Sequence, residues 1–324
     1  MSQILSGMRR KGLTATQLKM FAAVTMFIDH LTFTFLERTI DAAGGTVTAY
    51  SSDLLYLLDL LGRAVGRQAF PIFAFFIAEG FHHTGSRRKY LARLVLFAVI
   101  SQVPFRLMCG TGPVGSGRVV GLNVYATLAL GLCAIWIVDV VFMRRLPACG
   151  LRTLAGYNNV SPDRPCSPAE LVFRGIAAIA AIAGICAAAV YLNTDYDYIG
   201  VIAIVLFYLL RGNRRAAVMV VWVWITWGSS LEFFALPGLL LLTLYNGQRG
   251  GSRRLKTLTA DPQRPDVMTA EPRRPDTRTA EPQHPDAPGS GRAFGTLVRR
   301  YAFYIFYPAH MLVLYALRVL LCGY

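Results

Sequence analysis

The chain is built from continuous apolar runs, most of them fifteen to twenty-four residues long and bounded by Arg or Lys. An unbroken run of that length predicts a membrane-spanning helix, because lipid offers no partner to free backbone groups. Strict alternation, which a closed barrel requires, is absent from the runs. Nine spans are expected, near 18–36, 68–83, 91–109, 122–142, 171–191, 197–210, 216–228, 231–245 and 300–321. The stretch "DLLYLLDLLGRAVG" ahead of the second span is amphipathic and short, which suits the interface or a dip into the bundle. The expected fold is therefore all-α, a polytopic integral membrane helical bundle of about nine transmembrane helices. The first run has no small-residue cleavage site and is expected to be retained.

Composition agrees with this pattern. Of the 324 residues, 54% are hydrophobic and 16% charged, where a soluble domain carries about 25% charged residues. Mean hydropathy is +0.44. Six cysteines lie scattered without a CxxC pair, so neither a zinc site nor a disulfide framework is expected.

The net charge of +15 would suit nucleic acid, but its distribution is topological. With the N-terminus in the cytoplasm, all but six of the 33 Lys and Arg fall in or beside cytoplasmic segments. That asymmetry predicts the N-terminus inside, the C-terminus outside and a multi-pass protein of the cytoplasmic membrane. The lipid bilayer is the expected partner, and nucleic acid is not. Residues 1–245 form the expected bundle of eight helices with a cytoplasmic loop at 143–170, and 300–324 supply the last helix. Between them, 246–299 carry "TADPQRPDVM", "TAEPRRPDTR" and "TAEPQHPD" with a ten-residue period. Two prolines per copy forbid a continuous helix, and almost nothing apolar is available to bury, so a disordered cytoplasmic linker is expected there. His284 falls within it and is not expected to be catalytic.

Polar residues that break the apolar runs carry the candidate chemistry. Asp29 and His30 interrupt "MFIDHLTF", and His310 interrupts "YPAHMLVLY". At 1.5 Å per residue, His30 lies roughly 18 Å from the start of its span and His310 roughly 15 Å, near the middle of a slab about 30 Å thick. Two imidazoles at similar depth predict a shared polar chamber. Pro308 would open the last helix beside it. Neighbouring helix positions point about 100° apart, so Asp29 and His30 do not form a dyad. Asp29 needs a cation from another element, with Arg67 the first candidate. Arg63 and Arg67 are four apart and share a face; Arg106 is a third cation in an apolar setting. Asn123, Asp195, Asp197 and Glu232 are expected at the same outer level. At the cytoplasmic end of the second span, Glu79, His82 and His83 stand beside Arg87, Arg88 and Lys89, a mouth suited to an anionic ligand. An ExxHH set without a third ligand is too weak to predict a metal.

These residues sit in stretches that resemble the TraX family: "LTATQLKMFAAVTMFIDHLTFTF" at 13–35, "GRAVGRQAFPIFAFFIAEGFHHT" at 62–84 and "RRKYLARLVLFAVISQVPF" at 87–105. "LNVYATLALGL", "DYDYIGVIAIV", "LEFFALPGLLLLTLYNGQRG" and "YAFYIFYPAHMLVLY" follow in the family's order. The 249–296 repeat is an insertion between matching segments. The resemblance implies acetylation of the N-terminal amine of a conjugative pilin, and a distant likeness to multi-spanning acyltransferases. Acetyl-CoA is then the implied co-substrate, with no metal, and a pilin or cell-envelope molecule the acyl acceptor. In that chemistry His30 is the expected base, with His310, Asp29 and Arg67 completing the catalytic group. Arg63, Arg106, Asn123, Asp195, Asp197 and Glu232 would meet the acceptor. Glu79, His82, His83, Arg87, Arg88 and Lys89 would admit acyl-CoA. A transporter or flippase, and a non-catalytic pilus-assembly protein, are the alternative readings.

Overall fold

A computed structural model describes residues 12–37, 49–110, 121–144, 167–248 and 290–322. The described residues fold into helices without a β-sheet. Helix α1 spans Ala15–Thr32 and continues as a π-helical turn, Phe33–Glu37. Its start follows from "TATQ": the Thr14 hydroxyl accepts from Gln17 N–H, and the Gln17 side chain accepts from Thr14 N–H. This reciprocal pair satisfies two otherwise orphaned donors. Helix α2 (Ala49–Gly66) leads through a short turn into α3 (Ala69–His83), with Pro71 in the first turn, where its missing N–H costs nothing. Then come α4 (Arg87–Gly110), α5 (Val124–Val138) with a π-helical continuation Asp139–Met143, and α6 (Pro168–Tyr191). Helices α7 (Asp197–Leu209) and α8 (Arg214–Gly228), a 3₁₀ turn Ser230–Ala235, α9 (Leu236–Thr243) and α10 (Ser290–Cys322) complete the set.

Among the described residues, six stretches are long and apolar enough to cross a membrane: Ala15–Glu37, Asp53–His83, Arg87–Cys109, Val124–Met143, Pro168–Tyr191 and Tyr301–Leu321. Helices also occupy the expected spans at 197–210, 216–228 and 231–245, but they are shorter. The 13 residues of α7 reach about 20 Å, less than a slab of about 30 Å. Helix α10 begins at Ser290, so 290–299 are helical where an extended linker is expected. The ten-residue repeats and most of the 143–170 loop lie outside the described residues.

Helix α3 is the axis of the bundle. It buries residues around its whole circumference, among them Phe70, Ile72, Phe75, Phe76 and Phe81, and it packs against α1, α5, α7 and α9. Helix α10 returns along α4 and α1, which brings the last apolar run against the first. Helix α6 sits at the periphery and buries only Ala178 and Ala189.

Candidate functional site

A cavity of about 560 Å³ opens among the starts of α3, α5 and α7 and the ends of α1 and α2. Its polar wall begins with glycines. Gly62 and Gly66, four apart on α2, lie against Thr32 and Asp29 of α1, and a Cβ at either position would fall inside those side chains. Small residues at this spacing let two helices approach closely within a membrane. Arg63 and Arg67, each one residue further on, then reach the same carboxylate: Arg63 Nη1 and Arg67 Nη2 both stand 3.0 Å from Asp29 Oδ1. Arg67 Nη1 continues to Glu232 Oε1 at 3.3 Å, and Arg63 Nε lies 3.8 Å from Glu37 Oε2. The result is an alternating ladder, Glu37–Arg63–Asp29–Arg67–Glu232, along one side of the cavity. It is incompletely satisfied, since Glu232 Oε2 and Arg67 Nε are buried without a hydrogen-bond partner.

The histidines meet at the other wall. His30 Nδ1 is 2.6 Å from His310 Nε2, and His310 Nδ1 is 2.7 Å from the carbonyl oxygen of Phe306. A carbonyl only accepts, so His310 Nδ1 carries the proton of that bond. With both rings neutral, His310 Nε2 is an acceptor, His30 Nδ1–H donates to it, and His30 Nε2 keeps its lone pair. His30 lines the cavity, whereas His310 is 5% exposed and stands behind it. The expectation that both rings line the chamber is corrected to this extent: His310 does not line the cavity and stands behind His30 and Tyr307, which do. Pro308 assists, because it has no N–H to offer Tyr304 O; the Tyr125 hydroxyl donates there at 3.3 Å and to Phe303 O at 3.4 Å.

Asp195, Tyr196 and Asp197 reach the cavity from the α6–α7 turn. The turn is strapped to Leu122, which donates to Asn193 O and accepts from Asp195 N–H, both at 2.9 Å. Tyr196 stacks on Phe70 at 3.7 Å between centroids. Asp197 holds φ at 41°, a left-handed conformation uncommon outside glycine, and its Oδ1 is buried without a partner. Enclosure by protein pushes the Asp195 carboxyl up to about 6, with Arg67 and Arg63 opposing and Asp29 and Asp197 adding to the rise. Its side chain is open to the cavity, so water there limits that rise.

Two expected substrate-facing residues are elsewhere. Arg106 is exposed on α4 and does not line the cavity. Asn123 is fully buried, but as the cap of α5: it accepts from Tyr125 N–H and donates to Ala98 O and to Gln102 Oε1. Its polar atoms serve the junction of α4 with α5. Conversely, Tyr196 and Tyr307 line the cavity although nothing in their sequence context singled them out.

At the opposite ends of α3, α5 and α7, the expected acyl-CoA mouth is crowded. Glu79 and His82 line a second cavity of only about 30 Å³, which shares no lining residue with the first. Arg87 is engaged with Asp139 at 2.8 Å, His83 with Glu79 at 3.3 Å, and Arg88 and Lys89 are exposed.

A profile described as TraX protein matches residues 14–258 of the 324. The probable fimbrial assembly protein FimC, serogroup H1, of Dichelobacter nodosus is 34% identical over 128 residues, 38% of this chain and 46% of that protein. The match thus spans about half the length of that curated relative. No solved structure matches the chain.

Proposed function

The chain belongs to the TraX family, and on that premise we propose that it moves an acyl group, in the first instance acetyl, from cytoplasmic acyl-CoA to an amine outside the membrane, the N-terminal amine of a pilin-like protein. The observation that carries this reading is the relay Phe306 carbonyl–His310–His30, which leaves an imidazole lone pair at the cavity wall. Transfer to an amine needs a base for the acceptor proton, a positive group for the developing oxyanion and alignment of the two reactants. His30 Nε2 is the base; His310 fixes its tautomer and ring plane. Arg63 and Arg67 lie on the same cavity and supply positive charge while Asp29 holds their forks in place. Asp29, Asp195, Asp197 and Glu232 outnumber the two guanidiniums on the wall, which favours a cationic amine over an anionic acceptor.

In this reading the basic loops keep the N-terminus in the cytoplasm and the large cavity opens to the outside. Acyl-CoA would dock by its phosphates at the rim of Arg87, Arg88 and Lys89. Its acyl end reaches His30 only once the helices between the two separate cavities part. The name of the Dichelobacter relative points the acceptor toward fimbrial subunits. The test is to supply acetyl-labelled acetyl-CoA to inside-out vesicles containing the protein, with a short peptide bearing a free N-terminus sealed in the lumen. Label on the peptide amine is the expected result. Unchanged acetyl-CoA would overturn the proposal and return the cavity to a transport reading.

A further inference from the structure

An amine acceptor poses a chemical problem that one histidine does not solve. An α-amine has a pKa of about 7.7–8.0, and a lysine-like amine about 10.4, so the acceptor arrives as an ammonium with two protons to lose. One proton leaves with the nucleophilic attack, and the other must leave before it. We propose that Asp195 takes the first proton, from an ammonium held by Glu232 Oε2 and Asp197, and that His30 takes the second. This rests on the amine-acetylation reading above.

Three observations carry the assignment. Glu232 is 5% exposed and borders the cavity, yet only its Oε1 is engaged, by Arg67, while Oε2 has no partner. A buried carboxylate oxygen left open is costly unless a donor arrives to fill it. Asp197 Oδ1 is a second open acceptor on the same cavity, held there by a left-handed backbone. Asp195 itself bonds no described side chain and is open to the cavity, so its carboxylate is free to receive a proton and pass it to water. The charged and titratable groups around it are Arg67 and Arg63 of α2, Asp29 of α1, the neighbouring Tyr196, Asp197 of α7, Glu232 of the 3₁₀ turn and Tyr307 of α10.

The steps balance. The ammonium gives H⁺ to the Asp195 carboxylate and becomes a neutral amine. The amine nitrogen bonds to the thioester carbonyl carbon while His30 Nε2 takes the second proton. The C–S bond then breaks, and His30 returns its proton to the leaving thiolate, giving the free thiol. Asp195 releases its proton to water, so one proton is produced per transfer.

Two small acceptors separate this step from the rest. At pH 7 n-butylamine is almost wholly an ammonium, roughly one molecule in a few thousand being neutral, whereas O-methylhydroxylamine is neutral. Wild type and Asp195→Asn are compared with both in proteoliposomes supplied with labelled acetyl-CoA. The expected result is at least a tenfold loss for n-butylamine and less than a twofold loss for O-methylhydroxylamine. Equal losses for both, or none for either, would overturn the proposal. A second measurement needs no turnover: n-butylamine should raise the melting temperature of the wild-type protein at pH 7 where n-butanol does not, and Glu232→Gln should remove the difference. Equal shifts from the amine and the alcohol in wild type would overturn the ammonium site. Failure of wild type to acetylate either acceptor would instead sink the acetyltransferase reading, with the melting shift still deciding the site.

Discussion

Two aspartates in this bundle are each clasped by two arginines, and they differ in what is left over. Asp29, at the cavity, meets Arg63 and Arg67 through a single oxygen, Oδ1. Around it Glu232 Oε2 and Arg67 Nε remain open, and a cavity of about 560 Å³ adjoins. Asp139, at the opposite ends of the same helices, is fully enclosed, and both its oxygens are engaged. Arg87 Nη1 reaches Oδ2 at 2.8 Å, Arg144 Nε reaches it at 2.9 Å, and the Tyr208 hydroxyl donates to Oδ1 at 2.8 Å. The cavity beside Tyr208 is only about 30 Å³. A buried charge is tolerated when it is paired and hydrogen-bonded. The Asp139 cluster meets that condition internally and ties α5 to α4 and α7. The Asp29 ladder meets it only in part, which is the arrangement expected where a ligand supplies what is missing. Both carboxylates also border a π-helical turn, so the helix irregularity alone does not mark the functional end.

The largest effect that would sharpen this division is expected at His30. Replacing it by Ala removes the base and should lower acetyl transfer by about 10²–10⁴-fold, with membrane insertion and melting temperature near wild type. Wild-type turnover in that variant would remove His30 from the mechanism. His310→Gln should fall between the two, because His310 acts through His30 and the cavity contact itself remains.

The two aspartates can be set directly against each other. Asp139→Ala strips the acceptor from the Tyr208 hydroxyl and from two arginines. Breaking a fully buried pair costs about 3–5 kcal/mol, but the Arg87 and Arg144 side chains are 24% and 51% exposed and can turn to water. A loss of about 2 kcal/mol is therefore expected, with turnover per folded molecule at saturating acetyl-CoA unchanged and any effect of releasing Arg87 confined to the KM for acetyl-CoA. Asp29→Asn should do the reverse, because water in the cavity can solvate Arg63 and Arg67, while the guanidiniums lose their fixed positions and transfer falls. Thermal unfolding and turnover, measured on both variants, decide it. A larger loss of stability from Asp29→Asn, with turnover intact, would break the comparison.

Next in size is the glycine seam. Gly66→Ala adds a methyl where the Asp29 side chain already lies, and overpacking of this kind costs about 1–3 kcal/mol. Moving α2 away from α1 also lengthens the Arg67–Asp29 contact, so transfer should fall together with the melting temperature. Gly184→Ala on α6, where an added Cβ meets nothing within 4 Å, is the control and should change neither.

Much of this site is visible in the sequence, for identifiable reasons. An imidazole in the first apolar run and another in the last, at similar depth, are costly separately and favourable together, and His30 Nδ1 lies 2.6 Å from His310 Nε2. Asp29 needed a cation, and the pair at 63 and 67 shared a face. Other features carried signals of the same kind that depth alone could not rank. "GRAVG" has the small-residue spacing that draws helices together. Asp139 interrupts "IWIVDVVFM" as plainly as Asp29 interrupts its own run. Asn123 immediately precedes an apolar helix, the position of an N-cap, and its burial follows from capping. Arg106 shows why such residues are hard to sort. A polar residue in an apolar run implies a partner or a path to water, but the helix rotation that chooses between them is set by packing between distant segments. Rotation also hides the cavity's aromatic wall, since Tyr196 and Tyr307 look like any other membrane aromatics until α7 and α10 are in place.

The smallest effect, and the most specific to the open end, is the pH response of Asp195. Its folded-state carboxyl is pushed up to about 6 from the ordinary value of 3.8, so between those limits the folded protein holds the proton more tightly than the unfolded chain. Stability then falls as pH rises through that window, because the folded state increasingly carries an enclosed charge that the unfolded chain keeps in water. Water in the cavity moderates the slope. Asp195→Asn should flatten it, leaving the remaining pH dependence of unfolding in place. Transfer to an ammonium acceptor should run the other way, rising as pH climbs through about 6 and Asp195 becomes a carboxylate able to receive a proton. The same variant should lose that limb of the rate profile while the neutral acceptor shows no limb in either protein. A profile for n-butylamine that keeps its rise near pH 6 in Asp195→Asn would assign the titration to another group on the cavity wall, and with it the first proton.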